Sequence, residues 1–301
     1  MISSAKLHRA STIAELFKCH MNFISAESMK NALSFTPKKG DIFISPYPKC
    51  GTTWIQQIIH GLRTGGSMEF NEINEVIPWL EVSHDIGIDL HHHNPPLPRV
   101  FKSHLAWENI PKGNCKYICL TRNPKDVLVS FYKFIEGWWF EPGVISIELF
   151  AKAFFINGRE NYWNHLASWW PHRNNPNVLM FSYEELKEKL PEYIHLIADF
   201  TGCKLDLNLF DKVLKQSSIQ FMHKHKSKFD EHLTRNARDK AMGLPNGGKS
   251  MKIRNGNIGD YKTELPKTVQ FELDNIWHEQ IESKFNLKSY EALIKELKKF
   301  D

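Results

Sequence analysis

The sequence predicts an α/β fold in which a parallel sheet is covered by helices on both faces. The first observation behind this is that apolar stretches within residues 41–62, 115–138 and 178–186 each lead into a polar tip and then into helical periodicity. Strands that alternate with helices in this way favour parallel pairing and burial on both faces. The second observation is that polar residues stand at the strand ends, where ligands bind such sheets.

The first element, residues 41–62, has the layout of an anion-binding site. A hydrophobic strand leads into a tight loop with one lysine and one glycine, and an amphipathic helix follows. Unpaired N–H groups of the first helical turn, around residues 51–54, favour a phosphate above the loop. Lys49 adds a point charge, and Thr52 and Thr53 add hydroxyl donors. The lysine precedes a single glycine, unlike the common ATP-binding loop, so this loop alone does not identify the nucleotide.

The other strands bring polar side chains to the same edge of the sheet. Residues 99–104 form a short strand after a proline-rich turn, and residues 115–122 form a clearer one before a helix. Residues 178–186 repeat the pattern of strand, polar tip and helix. Five side chains at or just after strand ends are expected to converge: Lys49, Lys102, His104, Arg122 and Tyr183.

The rest of the chain is predicted from periodicity and composition. Residues 157–171 are typical of a helix with an aromatic face, and residues 268–300 return to helical periodicity. Residues 235–262 are rich in Gly, Asn, Lys and Arg, which indicates a mobile loop or lid. A length of 301 residues with a 42% hydrophobic share suits a single domain over residues 1–301.

The composition argues against several classes of protein. A net charge of +5 without long blocks suits an anionic small molecule better than nucleic acid. Five scattered cysteines indicate no disulfide framework and fit a reducing cytoplasm. We expect no membrane partner, because there is no secretory signal and no apolar run near ~20 residues. The run of His91, His92 and His93 lacks partners at metal-site spacing, so no metal site is expected.

Four motifs, in one order and at plausible spacing, resemble those of the cytosolic-type sulfotransferases. They are PKCGTTW at residues 48–54, FKSHL at 101–105, RNPKDVLVS at 122–130 and RNGNIGDYK at 254–262, and the resemblance covers about residues 36–290. Members of this family move a sulfuryl group from 3'-phosphoadenosine 5'-phosphosulfate to an acceptor, without a metal. The resemblance implies a parallel sheet with flanking helices, similar to the fold of the P-loop nucleotide kinases.

The resemblance also implies roles for individual residues. Lys49 would stabilise the leaving group, Lys102 would stabilise charge on the sulfuryl oxygens, and His104 would be the general base. Imidazole suits that role because it titrates near the working pH. The donor, and its product adenosine 3',5'-bisphosphate, would be held by Lys49, Cys50, Gly51, Thr52, Thr53, Trp54, Arg122, Ser130, Tyr183, Ser217, Ile219, Arg254, Asn255 and Gly256.

Within this set, the resemblance divides the donor between segments. Residues 51–54 would hold the 5'-phosphosulfate, with Trp54 stacked on the adenine. The 3'-phosphate would contact Arg122, Ser130, Arg254 and Gly256, and the nucleoside would contact Tyr183 and Ser217. Three positions depart from the usual residues of the family, namely Cys50, Ile219 and Asn255. These departures are expected to weaken donor affinity without changing the donor.

Two other functions stay open on the sequence. A kinase or NTPase on the same type of sheet needs an acidic residue at a strand end to hold Mg²⁺, and residues 178–186 do run into Glu184 and Glu185. A non-catalytic nucleotide-binding protein is the second alternative. The presence of both Lys49 and His104 argues against it, because binding alone does not need a base.

The acceptor is expected to be a small molecule with a hydroxyl or amine group, whose identity the sequence does not reveal. The aromatic residues between 138 and 170 are expected to be mostly core, with some lining the acceptor site. Residues 262–272 match the dimerisation sequence of the family only loosely, so both monomer and homodimer stay open.

Overall fold

The computed structural model describes residues 7–91, 96–158, 161–249 and 252–300. At its centre lies a four-stranded sheet with the spatial order β2-β1-β3-β4, in which every neighbouring pair is parallel. The strands are β1 (Ile42–Ile44), β2 (Val100–Lys102), β3 (Lys116–Thr121) and β4 (Val178–Ser182). The predicted parallel α/β fold is therefore confirmed, and each strand falls where the sequence places it.

Helices surround this sheet along the whole chain. They are α1 (Ile13–Met21), α2 (Ala26–Leu33), α3 (Thr52–Thr64), α4 (Ile73–Val76), α5 (Pro124–Ile135), α6 (Ile147–Phe150), α7 (Tyr162–Trp169), α8 (Tyr183–Glu188), α9 (Leu190–Thr201), α10 (Leu207–Gln216), α11 (Ile219–Lys224), α12 (His232–Arg238), α13 (Tyr261–Glu264), α14 (Lys267–Trp277), α15 (Ser283–Phe285) and α16 (Tyr290–Leu297). Short 3₁₀ turns cover His84–Ile86, Trp170–His172 and Lys226–Phe229, and π-helical turns cover Ala151–Ile156 and His278–Glu282.

The strands are short but are held together by aromatic packing. Phe43 of β1 stacks on Phe101 of β2 and on Tyr117 of β3, with ring centroids 5.4 and 5.8 Å apart. These rings are all buried, so the sheet has an aromatic core across its three neighbouring strands. Cross-strand aromatic pairs of this kind add to the burial of their apolar area. The packing fixes the points at which the chain leaves the sheet.

Two predicted segments differ from the expectation. The helix expected at 157–171 begins only at Tyr162, because the Asn161 side chain accepts from the Asn164 N–H and caps it; residues 159 and 160 lie outside the described residues. The expected lid at 235–262 begins inside α12, and Arg238 there is buried and paired with Asp85. Residues 250 and 251 of that segment lie outside the described residues, and its mobility stays a prediction.

The loop between β1 and α3 turns at Gly51, which is the N-cap of α3 and has φ +106°. A Cβ at this position would lie 3.0 Å from the Tyr183 ring and 3.3 Å from the Leu120 side chain. L-residues avoid this backbone region, and the close neighbours leave no room for a side chain. Glycine is therefore required for the loop to come this close to β3 and α8.

We expect Gly51→Ala to lower the free energy of unfolding by about 2 kcal/mol or more, because backbone strain and steric overlap add. The matched control is Gly40→Ala, whose φ is +86° but whose Cβ would meet nothing within 4 Å. That variant should cost only about 1 kcal/mol, from strain alone. Urea denaturation of the variants and the parent measures both. Equal losses would mean that the overlap with Tyr183 is relieved without cost.

A buried histidine in α7 makes the stability of the fold dependent on pH. His165 is buried, and burial lowers the pKa of its ring to about 3. In the unfolded chain the ring takes up a proton near pH 6.5, so the unfolded state binds more protons than the folded state below that pH. The contribution of His165 to stability is therefore present above pH 6.5 and falls by about 1.4 kcal/mol per pH unit below it.

We therefore expect His165→Gln to lose about 2 kcal/mol less stability than the parent between pH 7 and pH 5. Urea denaturation at both pH values gives the difference directly. The control is His223→Gln, at an exposed position of α11, which should keep the pH dependence of the parent. If His165→Gln keeps the pH dependence of the parent, the His165 ring takes up its proton in the folded state over the same pH range as in the unfolded chain.

Candidate active site

The carboxyl ends of the strands border a cavity of about 490 Å³. The predicted residues that line it are Lys49, Gly51, Thr52, Thr53, Trp54, Lys102, His104, Arg122, Ser130, Tyr183, Ser217, Ile219, Arg254, Asn255 and Gly256. The remaining one, Cys50, has its side chain fully buried in the core, where burial raises the pKa of its thiol. Cys50 can therefore reach a ligand through its backbone but not through its thiol.

The loop presents a helix N-terminus and a half-buried lysine to this cavity. No side chain caps α3 at Gly51, so the N–H groups of Thr52 and Thr53 remain available to a ligand, whereas the Trp54 N–H donates to the carbonyl of Gly51 at 3.0 Å. The Thr52 hydroxyl is buried and has no hydrogen-bond partner among the described residues. Lys49 lies with its Nζ 3.8 Å from the ring centroid of Phe134. Burial, followed by the charge of Lys252, holds the pKa of Lys49 well below its ordinary value.

A second group of donors lies around Arg122, which follows β3. Its guanidinium donates to the carbonyl of Lys49 at 3.3 Å and to that of Asn257 at 2.9 Å, and it stacks 4.4 Å from the ring centroid of Tyr183. The Tyr183 hydroxyl donates to the carbonyl of Gly256 at 3.2 Å. Arg122 Nε is buried and lacks a partner within the described part of the chain. This guanidinium therefore joins the loop to residues 256–257 and still has a donor to offer.

Trp54 and Ser217 form the wall between these two groups. The Trp54 indole N–H donates to the carbonyl of Ser217 at 2.8 Å, and its ring meets the Tyr183 ring edge-on at 5.5 Å between centroids. The Ser217 hydroxyl is buried without a partner in the described ranges. Arg254 lines the same cavity and pairs with Asp260. The predicted donor residues are therefore brought together from five separate segments.

His104 is fixed by two contacts from other segments. Its backbone N–H donates to Glu81 at 2.7 Å, and its ring Nδ1 lies 2.7 Å from the carbonyl oxygen of Pro46. Burial, followed by the charge of Lys102, holds the pKa of His104 well below its ordinary value, so the ring is neutral. A carbonyl can only accept, so the single ring proton is on Nδ1. Nε2 is therefore the basic nitrogen of His104.

Four charged residues of the cavity lining were not predicted from the sequence, namely Glu81, Lys187, Glu231 and Lys252, and the last two are paired. Glu231 pairs with Lys102 of β2 and with Lys252, whose Nζ is 2.6 Å from the same carboxylate oxygen. Burial alone would raise the pKa of Glu231, but the two lysines hold it below its ordinary value. Burial lowers the pKa of Lys102 to about 8 despite this partner. The one sequence signal for Glu231 or Lys252 is that Lys252 stands two residues before Arg254.

Another part of the cavity lining is aromatic. The expectation that the aromatic residues are mostly core is met by Tyr162, Trp163 and Trp169, which are buried in the core. Trp138 and Trp139 instead follow α5 and line the cavity as well as packing into the core. The aromatic lining consists of Phe23, Trp54, Trp79, Phe131, Phe134, Trp138, Trp139 and Tyr183.

The acidic residues that a kinase would need at the end of β4 bond elsewhere. Glu184 accepts from the Asn123 N–H at 3.1 Å and from the Tyr290 hydroxyl at 2.7 Å. Glu185 accepts from the Tyr193 hydroxyl at 2.8 Å. Both carboxylates therefore have structural partners away from the cavity.

Two findings bear on the other expectations from the sequence. Within the described ranges, no helix is both long and apolar enough to cross a membrane. Of the three consecutive histidines, His92 and His93 lie outside the described residues, and the ring of His91 packs against Phe35 with centroids 5.5 Å apart.

Comparison with known proteins agrees with this geometry. A family model for the sulfotransferase domain matches residues 39–285. Bovine sulfotransferase 1E1 is 31% identical over 267 residues, which cover 85% of this chain and 88% of that protein. Human sulfotransferase 1C2 is 27% identical over 262 residues, which cover 83% of this chain and 86% of that protein.

Solved structures share the fold at lower identity. A mouse sulfotransferase, SULT7A1, complexed with PAP has a TM-score of 0.66 and 22% identity, and the match covers 92% of this chain and 95% of that one. A retinol dehydratase in complex with androsterone and inactive cofactor PAP has a TM-score of 0.67 and 19% identity, with 86% of each chain covered. On the domain match and the identity to its relatives, the chain belongs to the sulfotransferase family.

Proposed function

We propose that this protein moves a sulfuryl group from 3'-phosphoadenosine 5'-phosphosulfate to a hydroxyl or amine of a small-molecule acceptor. The observation that carries this proposal is the presence of two separate sets of anion donors in one cavity with a neutral histidine. One set is the uncapped N-terminus of α3 with Lys49, and the other is centred on Arg122. A nucleotide with phosphate groups at both the 5' and 3' positions fits two such sets.

The unsatisfied atoms of the cavity fit such a donor. Buried donors without partners are costly, and the residues that line the cavity hold five of them within the described part of the chain. Two are the indole N–H groups of Trp79 and Trp139 in the aromatic part of the lining. The other three, Thr52 Oγ1, Arg122 Nε and Ser217 Oγ, belong to segments that the family resemblance assigns to donor binding. Two solved structures of similar fold are complexes with PAP, which adds support. Lys49, residues 51–54, Arg122, Arg254 and Gly256 would hold the donor through its phosphates.

When bound, the donor supplies a sulfuryl group on a phosphate leaving group. His104 accepts at Nε2 the proton that the acceptor loses, because Nδ1 is committed to the Pro46 carbonyl. Lys49 places an ammonium beside the leaving phosphate. Burial holds its pKa low although Glu231 raises it, and an arriving anion beside Lys49 further favours the charged form. Lys49 therefore becomes a cation at the position where negative charge collects.

The acceptor is proposed to be a small molecule with an apolar body. The aromatic part of the lining, which includes Phe23, Trp79 and Trp139, offers apolar and π surface to such a body. Its hydroxyl or amine group would be directed at His104. The five cysteines are free, which suits a reducing compartment, and we extend the proposal to a cytoplasmic location.

Binding of two nucleotides tests this proposal against the kinase alternative. We expect adenosine 3',5'-bisphosphate to bind at micromolar concentration or below without Mg²⁺, because two sets of donors engage it. ATP with Mg²⁺ should bind far more weakly, because it has no 3'-phosphate and because Glu184 and Glu185 are bonded elsewhere. Isothermal titration calorimetry of both ligands measures the contrast. Tight, Mg²⁺-dependent binding of ATP would contradict the proposal.

We expect His104→Ala to lower turnover by at least about 100-fold, since a positioned general base contributes this much. Affinity for the bisphosphate should stay within about threefold of the parent, because the base does not contact either phosphate. Transfer of label from the donor to an acceptor found in a metabolite extract measures the first quantity, and calorimetry measures the second. His223→Ala is the control for loss of a histidine elsewhere. Normal turnover in His104→Ala would show that His104 is not the general base.

A further inference from the structure

The segment from Lys252 to Asn257 extends across the cavity and contacts both of its ends. At one end, Asn257 and Gly256 accept hydrogen bonds from Arg122 and Tyr183. At the other end, Lys252 pairs with Glu231, which also pairs with Lys102 at the end of β2. The family resemblance assigns the first end to the 3'-phosphate. The end that carries Lys252 therefore lies with Lys102, on the side that belongs to the sulfuryl group.

We propose that Lys252 is a third lysine of the donor site, acting on its 5'-phosphosulfate end beside Lys49 and Lys102, and that Glu231 positions it there. The inference rests on the proposed function, since it assigns a role toward the same donor. It adds a residue for which neither the strand-end pattern nor the family motifs provide a role.

Burial and charge support a role for Lys252 in anion binding. Its side chain is 8% exposed, and it lines the cavity together with the other two lysines. Two ammonium groups share one carboxylate oxygen of Glu231, so this cluster has an excess of positive charge before Lys49 is counted. Buried charge is costly unless it is paired. An anionic group entering between these lysines supplies the missing counter-charge.

The electrostatics of Lys49 are consistent with the position of Lys252 in the same cavity. After burial, Lys252 is the largest influence that lowers the pKa of Lys49, ahead of both Lys102 and Arg122. Like charges exert such an effect only at short range inside a protein. Lys49 is the residue nearest to the leaving group in the proposed reaction. Both side chains line the same cavity, which agrees with a shared role toward one anionic group.

The backbone of Glu231 is consistent with a positioning role. It has φ +59°, a left-handed conformation that residues other than glycine seldom adopt, and its side chain is 3% exposed. Non-glycine residues are held in this region only where the surrounding structure demands it, and such positions cluster at functional sites. Here the conformation directs the carboxylate between the two lysines. Glu231 is thus a positioning residue, and Lys252 is the group that reaches the donor.

The test compares three ligands by calorimetry: adenosine 3',5'-bisphosphate, adenosine 3'-monophosphate and adenosine 5'-monophosphate. We expect Lys252→Met to weaken bisphosphate binding by about 10- to 100-fold, the loss typical of a charge-assisted contact. Binding of the 3'-monophosphate should change by less than about threefold. Arg122→Ala should show the opposite selectivity, losing affinity for the bisphosphate and the 3'-monophosphate while keeping that for the 5'-monophosphate.

A matched control is Lys249→Met, which removes an exposed lysine three residues before Lys252 and should keep the parent affinities. Bisphosphate binding within about threefold of the parent in Lys252→Met would overturn the inference and leave the proposed function standing. An equal loss for the 3'-monophosphate would overturn the placement at the 5' end. Failure of the parent itself to bind the bisphosphate would overturn both the inference and the proposed function.

A second variant tests Glu231 separately. Glu231→Gln leaves two buried lysines without a counter-ion, so the ligand-free protein should lose at least about 5 °C in Tm. Bisphosphate should raise the Tm of this variant by more than it raises that of the parent, because the ligand supplies the missing negative charge. An unchanged Tm in the ligand-free variant would show that Glu231 does not hold the lysines.

Discussion

Cations are concentrated at the carboxyl edge of the sheet, and their burial is the constraint on which the site depends. The basic side chains have different kinds of partner. Lys49 lies over the Phe134 ring, Arg122 donates to backbone carbonyls, and Lys102 shares Glu231 with Lys252. Carbonyl and aromatic partners offset only part of the desolvation cost. The basic side chains therefore give the cavity an electrostatic preference for an anionic ligand.

The sheet provides the rigidity that this arrangement needs. The rings of Phe43, Phe101 and Tyr117 lock the three neighbouring strands to one another, so the residues that follow the strands begin from fixed points. Lys102 is itself the last residue of β2, and Arg122 directly follows β3. Sites built at the ends of packed strands hold their geometry better than sites on free loops. Short strands are sufficient here because aromatic packing holds them together.

The sequence predicts the parts of the site that depend on local pattern. Residues such as Arg122 and Tyr183 follow buried strands, and the parallel topology then brings them together. Glu231 and Lys252 lie in irregular segments, whose positions depend on tertiary contacts that no periodicity encodes. The same reason explains why the sequence did not predict the direction of the Cys50 side chain, or which of the aromatic residues line the cavity. The start of α7 depended on one capping residue, Asn161, which shortens the expected helix.

The contact between the His104 ring and the Pro46 carbonyl links the two residues to which the proposed reaction gives the base and leaving-group roles. Pro46 lies three residues before Lys49 in the same loop, so one short stretch of backbone carries the lysine and also fixes the tautomer of the histidine. A shift of this loop would misplace Lys49 and release the Nδ1 proton from its partner at the same time. In the proposed reaction, proton removal from the acceptor and stabilisation of the leaving group would therefore depend on the same loop. Substitutions in the loop and at His104 should consequently have non-additive effects on the rate.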